Sequence, residues 1–185
     1  MDTALVVIGV QESFRHTPHW QAWRGPAFFA TLNQLIEGAE QKNIPIVRIF
    51  HVAREGPFAL GTGWVTSMPE ARVYQPAAEF YKSRHSALVG TDLQVWLIER
   101  RIRRLIVCGI RTEQDCETTA RHAADLGFLV DYVTEATLTF DMMHRLGVYV
   151  PALDIQLKTE LVLTDRFATI CTVDEALARA SAVGA

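Results

Sequence analysis

Asp115 and Cys116 stand side by side in the stretch RTEQDCETT, Lys82 closes the run AEFYK, and His51 closes IPIVRIFH. A carboxylate, a thiol, an ammonium and an imidazole can carry nucleophilic or general acid–base chemistry if folding gathers them. Asp115 also has a plainer reading: three residues after Thr112, it can be the far half of a capping box in a first helical turn that favours negative charge. Cys116, one residue on, is turned by about 100° on a helix. It is therefore expected to face the sheet and pack as a small hydrophobe. His16 and His19 are paired at loop spacing with no acidic partner beside them, which argues against a metal site. IGVQES carries a lone glycine where a dinucleotide fingerprint would need three, and neither a Walker sequence nor a G-x-S-x-G elbow occurs.

The elements that must position these residues alternate. Leu105 to Cys108 is a short apolar run ending in Gly109, as a buried parallel strand would. Thr112 can cap a helix with apolar positions Cys116, Ala120, Ala123, Ala124 and Gly127, and a strand from Phe128 to Val133 follows. Ala4 to Val10 reads as a central strand, and Pro26 opens a helix presenting Phe29, Leu32, Leu35, Ile36 and Ala39. Ile44 to His51 and Ala78 to Lys82 are further strands. Between them, Ala53 to Pro76 is a Pro- and Gly-punctuated excursion suited to a binding wall. Thr91, with Gln94 in capping-box spacing, starts a helix facing inward through Leu93, Trp96 and Leu97. A helix from Asp141 to Lys158, a strand from Leu161 to Leu163 and a helix from Val173, capped near Thr172, complete the reading. The expected fold is α/β: residues 1–185 as a single domain, with one doubly wound, mostly parallel sheet and helices on both faces, a Rossmann-like three-layer arrangement. In such sheets ligands sit at the carboxyl ends of strands, where Gly9, Gln11, His51, Lys82 and residues 110–116 fall.

A formal net charge of −3 gives no footprint for nucleic acid. The cluster Arg100, Arg101, Arg103 and Arg104 is local and reads as a solvated helix end. Three cysteines without metal-site spacing point to a reducing compartment. No run approaches a membrane span, and the chain enters a strand without a basic leader, so a cytoplasmic location is expected.

The segments LVVIGVQESF, KSRHSALVGTDLQVWL and LIVCGIRTEQDCETTARHAADLGFLVDYVTEAT resemble the isochorismatase-like hydrolases, the cysteine hydrolase or nicotinamidase-related group. Amide-cleaving members share an Asp–Lys–Cys triad in which the cysteine attacks, the aspartate takes its proton and the lysine lowers both pKa values. The resemblance places the lysine on Lys82, but the aspartate position falls on Gly9 and the cysteine position on Asp115. It implies an oxyanion hole from the N–H groups of Arg111 and residue 115, with a cis peptide between Ile110 and Arg111. It also implies a homo-oligomer, a dimer or higher. The zinc sites of some members need an Asp-x-His arrangement after the second strand, which FHVARE lacks, so no metal and no cofactor are expected. Asp115 is expected to pair with Lys82, and Gly9 to leave room for a ligand or water. Gln11, Phe14, Trp20, His51 and Trp64, with the excursion around Phe58, are expected to wall a pocket for a small planar molecule. Two functions follow: a hydrolase using Asp115 as base or nucleophile on a substrate other than ordinary amides, or a catalytically silent relative that binds a small ligand or serves as an assembly subunit. An active-site variant of a cysteine amidohydrolase would carry the same residues.

Overall fold

The structure, a computed structural model, describes residues 2–181. Its strands are β1 (Thr3–Ile8), β2 (Ile46–His51), β3 (Ala78–Lys82), β4 (Arg104–Ile110), β5 (Leu129–Leu138), a small hairpin of β6 (Met142–Met143) and β7 (Tyr149–Val150), and β8 (Thr169–Ile170). The helices are α1 (Gly25–Gln41), α2 (Leu93–Glu99), α3 (Glu117–Asp125), α4 (Ala152–Leu163) and α5 (Val173–Ser181). Six strands form one parallel sheet in the order β3-β2-β1-β4-β5-β8. The chain winds outward in both directions from β1, so the doubly wound expectation holds, with its switch point between β1 and β4.

The period of two along a strand builds the layers. In β1, Leu5 and Val7 join the core beneath α1 and α5, while Ala4, Val6 and Ile8 join the core beneath α2, α3 and α4. Both faces are covered, which is why β1 and β4 are buried along their full lengths. Helix α1 begins beside Pro26 and buries Phe29, Leu32, Leu35, Ile36 and Ala39 as its spacing predicts.

Several expected elements change. The helix placed from Asp141 to Lys158 is a hairpin followed by a helix: Gly147 takes φ +80 in the turn, and α4 starts only after Pro151, whose carbonyl accepts the Asp154 and Ile155 N–H groups. The strand placed at Leu161 to Leu163 is the last turn of α4, and the sixth sheet strand is β8. The Thr91–Gln94 capping box does not form; Thr91 instead donates its hydroxyl to the Ala87 carbonyl, and α2 starts at Leu93. The cap at Thr172 does form. Its Oγ1 accepts the Glu175 N–H at 3.2 Å, and Glu175 accepts the Thr172 N–H at 2.9 Å.

Candidate active site

The carboxyl ends of β2 and β3 place His51 and Lys82 in register as neighbours. Asp115 comes from the turn that follows β4, a wide helical turn spanning Thr112–Cys116 in which the Cys116 N–H reaches back five residues to the Arg111 carbonyl. The ammonium of Lys82 donates directly to Asp115 Oδ1, and it meets His51 Nδ1 and the Arg84 carbonyl at 3.1 Å each. Lys82 is fully buried, and its three protons have three acceptors, so the charge is both paired and hydrogen-bonded. With Nδ1 accepting, the His51 ring carries its proton on Nε2. Burial, and then the Lys82 charge, pull the His51 pKa down to about 4, against an opposing pull from Asp115. His85 brings its Nδ1 to 3.7 Å from Asp115 Oδ1.

Above this cluster lies a cavity of about 180 Å³. Phe14, Phe58 and Phe140 supply its apolar walls, and Thr17, His19, His51, His85, Arg111, Gln114 and Asp115 its polar ones. Arg111 is held at 3.0 Å by Glu113 and lies over the Phe140 ring. The Ile110–Arg111 peptide is cis. Among the described residues, no group of three His, Cys, Asp or Glu side chains is arranged to hold a metal ion.

The structure brings together Lys82, Asp115, Arg111, His51 and Phe14, with Phe58 from the excursion. Gln11, Trp20 and Trp64 do not join the lining. Gln11 is fully buried and grips the main chain of His51, accepting its N–H at 2.7 Å and donating to its carbonyl at 3.0 Å. Trp64 stacks on His16 at 3.5 Å, and Trp20 packs edge-on against Phe140, behind the wall. Gly9 does not leave room for a ligand. Its φ is +62, and a Cβ there would lie 2.7 Å from the Ile110 carbonyl oxygen, so the glycine serves a close backbone approach. Thr112 does not cap with its side chain: its hydroxyl meets that of Thr137 at 2.7 Å. Asp115 correspondingly faces Lys82, not the helix end. Cys116 is fully buried among the residues beneath α3, and burial followed by the Asp115 charge pushes its thiol pKa well up. Gln114 lines the cavity from within the expected stretch 110–116, whereas Thr17, His85 and Phe140, and His19 in any role but metal ligand, are lining residues that the sequence does not point to. Of these, His85 carries a usable signal, since it follows by three residues the end of β3, expected from the sequence at Lys82.

The family model for the isochorismatase domain matches residues 3–148. The uncharacterized isochorismatase family protein YrdC of Bacillus subtilis (strain 168) is 25% identical over 175 residues, covering 93% of this chain and 92% of its own. A crystal structure of a cysteine hydrolase from Pseudomonas syringae pv. phaseolicola 1448A superposes with a TM-score of 0.88 at 21% identity, covering 97% of this chain and 92% of that one. A structure of an isochorismatase from Pseudomonas putida KT2440 gives 0.81 at 24% identity, covering 94% and 89%. These two likenesses concern the fold; the family rests on the match over residues 3–148.

Proposed function

The chain belongs to the isochorismatase family, and from that premise we propose that it is a hydrolase acting on a small, partly planar molecule with water as nucleophile in place of a thiol. One observation carries this reading: the Asp115 carboxylate, paired with Lys82, lines the cavity, while the neighbouring thiol of Cys116 is sealed in the core. Asp115, oriented by Lys82, accepts a proton as water attacks the substrate carbonyl. The N–H groups of Arg111 and Asp115 meet the developing oxyanion, and the proton returns from Asp115 to the leaving group. The substrate's flat part lies among Phe14, Phe58 and Phe140. Its reactive group is more labile than an ordinary amide, because a carboxylate site lacks the covalent route open to a thiolate. The protein works in a reducing cytoplasm as a homo-oligomer. Among the described residues no helix is long and apolar enough to cross a membrane.

Turnover of a panel of aryl esters tests the reading. Asp115→Asn should lower kcat about 100-fold or more, the range expected for loss of a proton acceptor, with no acyl-enzyme detected by mass spectrometry in the parent. The silent-relative reading has its own support in the mutual compensation of Lys82 and Asp115. It takes over if calorimetry shows planar molecules binding while neither parent nor variant turns over any ester.

A further inference from the structure

At the amino edge of the sheet, away from the cavity just described, the arginine cluster of the sequence divides. Arg103 is exposed, whereas Arg104 opens β4 and is 9% exposed. Its Nη1 donates to both oxygens of the fully buried Asp131, each at 3.0 Å. Arg179 of α5 donates from Nε to the same carboxylate at 2.9 Å and from Nη2 to Thr169 Oγ1 at 3.3 Å. Two guanidinium groups thus share one carboxylate, leaving a positive charge over, and the buried Arg104 Nε has no acceptor. Arg104 is the buried member of the pair, whereas the Arg179 side chain is 41% exposed, so the surplus charge stands where an anion from solvent can reach it.

Beside this cluster is a cavity of about 390 Å³. Arg104, Arg166 and Arg179 line it, with Phe128 and Phe167 as apolar wall and Asp165 as its one acidic lining residue. Set against Asp165, Arg166 leaves the surplus of Arg104 and Arg179 over Asp131 uncancelled. We propose that this cavity is a binding site for an oxyanion, the phosphate or carboxylate of a small metabolite, received by the guanidinium donors of Arg104, Arg166 and Arg179 that Asp131 and Thr169 leave over. The two phenylalanine rings take the apolar body that carries the anion. Strand β4 runs from Arg104 at this edge to Ile110 at the other, about 20 Å at the usual rise per residue, so an occupant here does not touch Asp115.

Titration with inorganic phosphate and, separately, acetate, followed by calorimetry at ionic strength held constant with sodium chloride, tests the proposal. Saturable binding of one anion per chain is expected. Saturation by phosphate alone assigns a phosphate ligand and saturation by acetate alone a carboxylate; both outcomes support the site. Arg179→Gln should weaken binding at least tenfold and Arg166→Gln at least threefold, while Asp115→Asn leaves it unchanged. Arg166 is exposed and bears on no core contact, so that variant keeps the test decisive if Arg179→Gln fails to fold. No saturation by either anion, or undiminished binding in the folded arginine variants, overturns the proposal.

Discussion

Position 115 decides which chemistry the pocket can hold. With a carboxylate there, the Lys82 ammonium has a full set of acceptors. With a thiol there, the same lysine and the first turn of a helix would both favour thiolate. Asp115→Cys should therefore take up one equivalent of iodoacetamide at position 115. The parent should take up none while folded, because Cys108 and Cys116 are fully buried and Cys171 is 5% exposed; peptide mapping by mass spectrometry reads both. Adding a carboxylate by Gly9→Asp, at the position where the resemblance puts the family's aspartate, meets an obstacle. A side chain at φ +62, against the Ile110 carbonyl, should cost on the order of 1–3 kcal/mol, so the double variant melts earlier than Asp115→Cys alone.

His51 adds a pH dependence whose sign follows from its lowered pKa. The unfolded imidazole binds a proton near 6.5, and the folded one only near 4. The neutral ring's contribution to stability is therefore complete above about 6.5 and is lost as pH falls towards 4. Thermal melts should fall across that window in the parent and fall less in His51→Gln. Lys82, Asp115 and His51 were legible in the sequence because strand ends announce where side chains converge. Gln11, Trp20 and Trp64 depart from expectation for a different reason. Nothing in a loop sequence tells whether a side chain turns to a pocket, to a neighbouring ring or, as Gln11 does, back to a main chain.

At the scale of elements, hydrophobic spacing located the sheet strands that carry the site and the five helices, but not their ends. Strand β5 continues to Leu138, well past the expected Val133, because Tyr132 and Thr137 tie it to the turn that carries Asp115: the Tyr132 hydroxyl donates to the Thr112 carbonyl at 2.7 Å. Those contacts lie outside any local pattern. The same holds for α4, where the apolar run Leu161 to Leu163 suits a short strand or a helix turn equally until packing decides. Burial of Ala152, Ile155, Thr159 and Leu163 on one side settles it as helix. The α5 cap shows the opposite case, a local signal that tertiary structure leaves intact. Thr172→Ala should destabilise the fold by about 1 kcal/mol in urea denaturation, the usual cost of a lost N-cap.

For the whole molecule, the side of α4 turned away from the sheet exposes Leu153, Leu157 and Leu161, four residues apart, with Met143 and Tyr149 of the hairpin also exposed. If the chain assembles as the homo-oligomer proposed above, this stripe is the surface a second copy would cover. Leu157→Glu should shift the mass measured by light scattering towards the monomer, with ester turnover following the fraction still assembled. An unchanged mass would place the contact elsewhere.

The burial of all three cysteines reaches beyond the choice of nucleophile. A relative that attacks through an exposed thiolate is open to peroxide, to nitrosating agents and to every electrophile in the cell, and each such encounter can silence it. This chain lines its pocket with no cysteine or methionine and keeps its thiols inside, so the pocket has no sulfur to lose to oxidation. Binding in this pocket should therefore survive a peroxide treatment that silences a thiolate enzyme, as calorimetry before and after exposure would read.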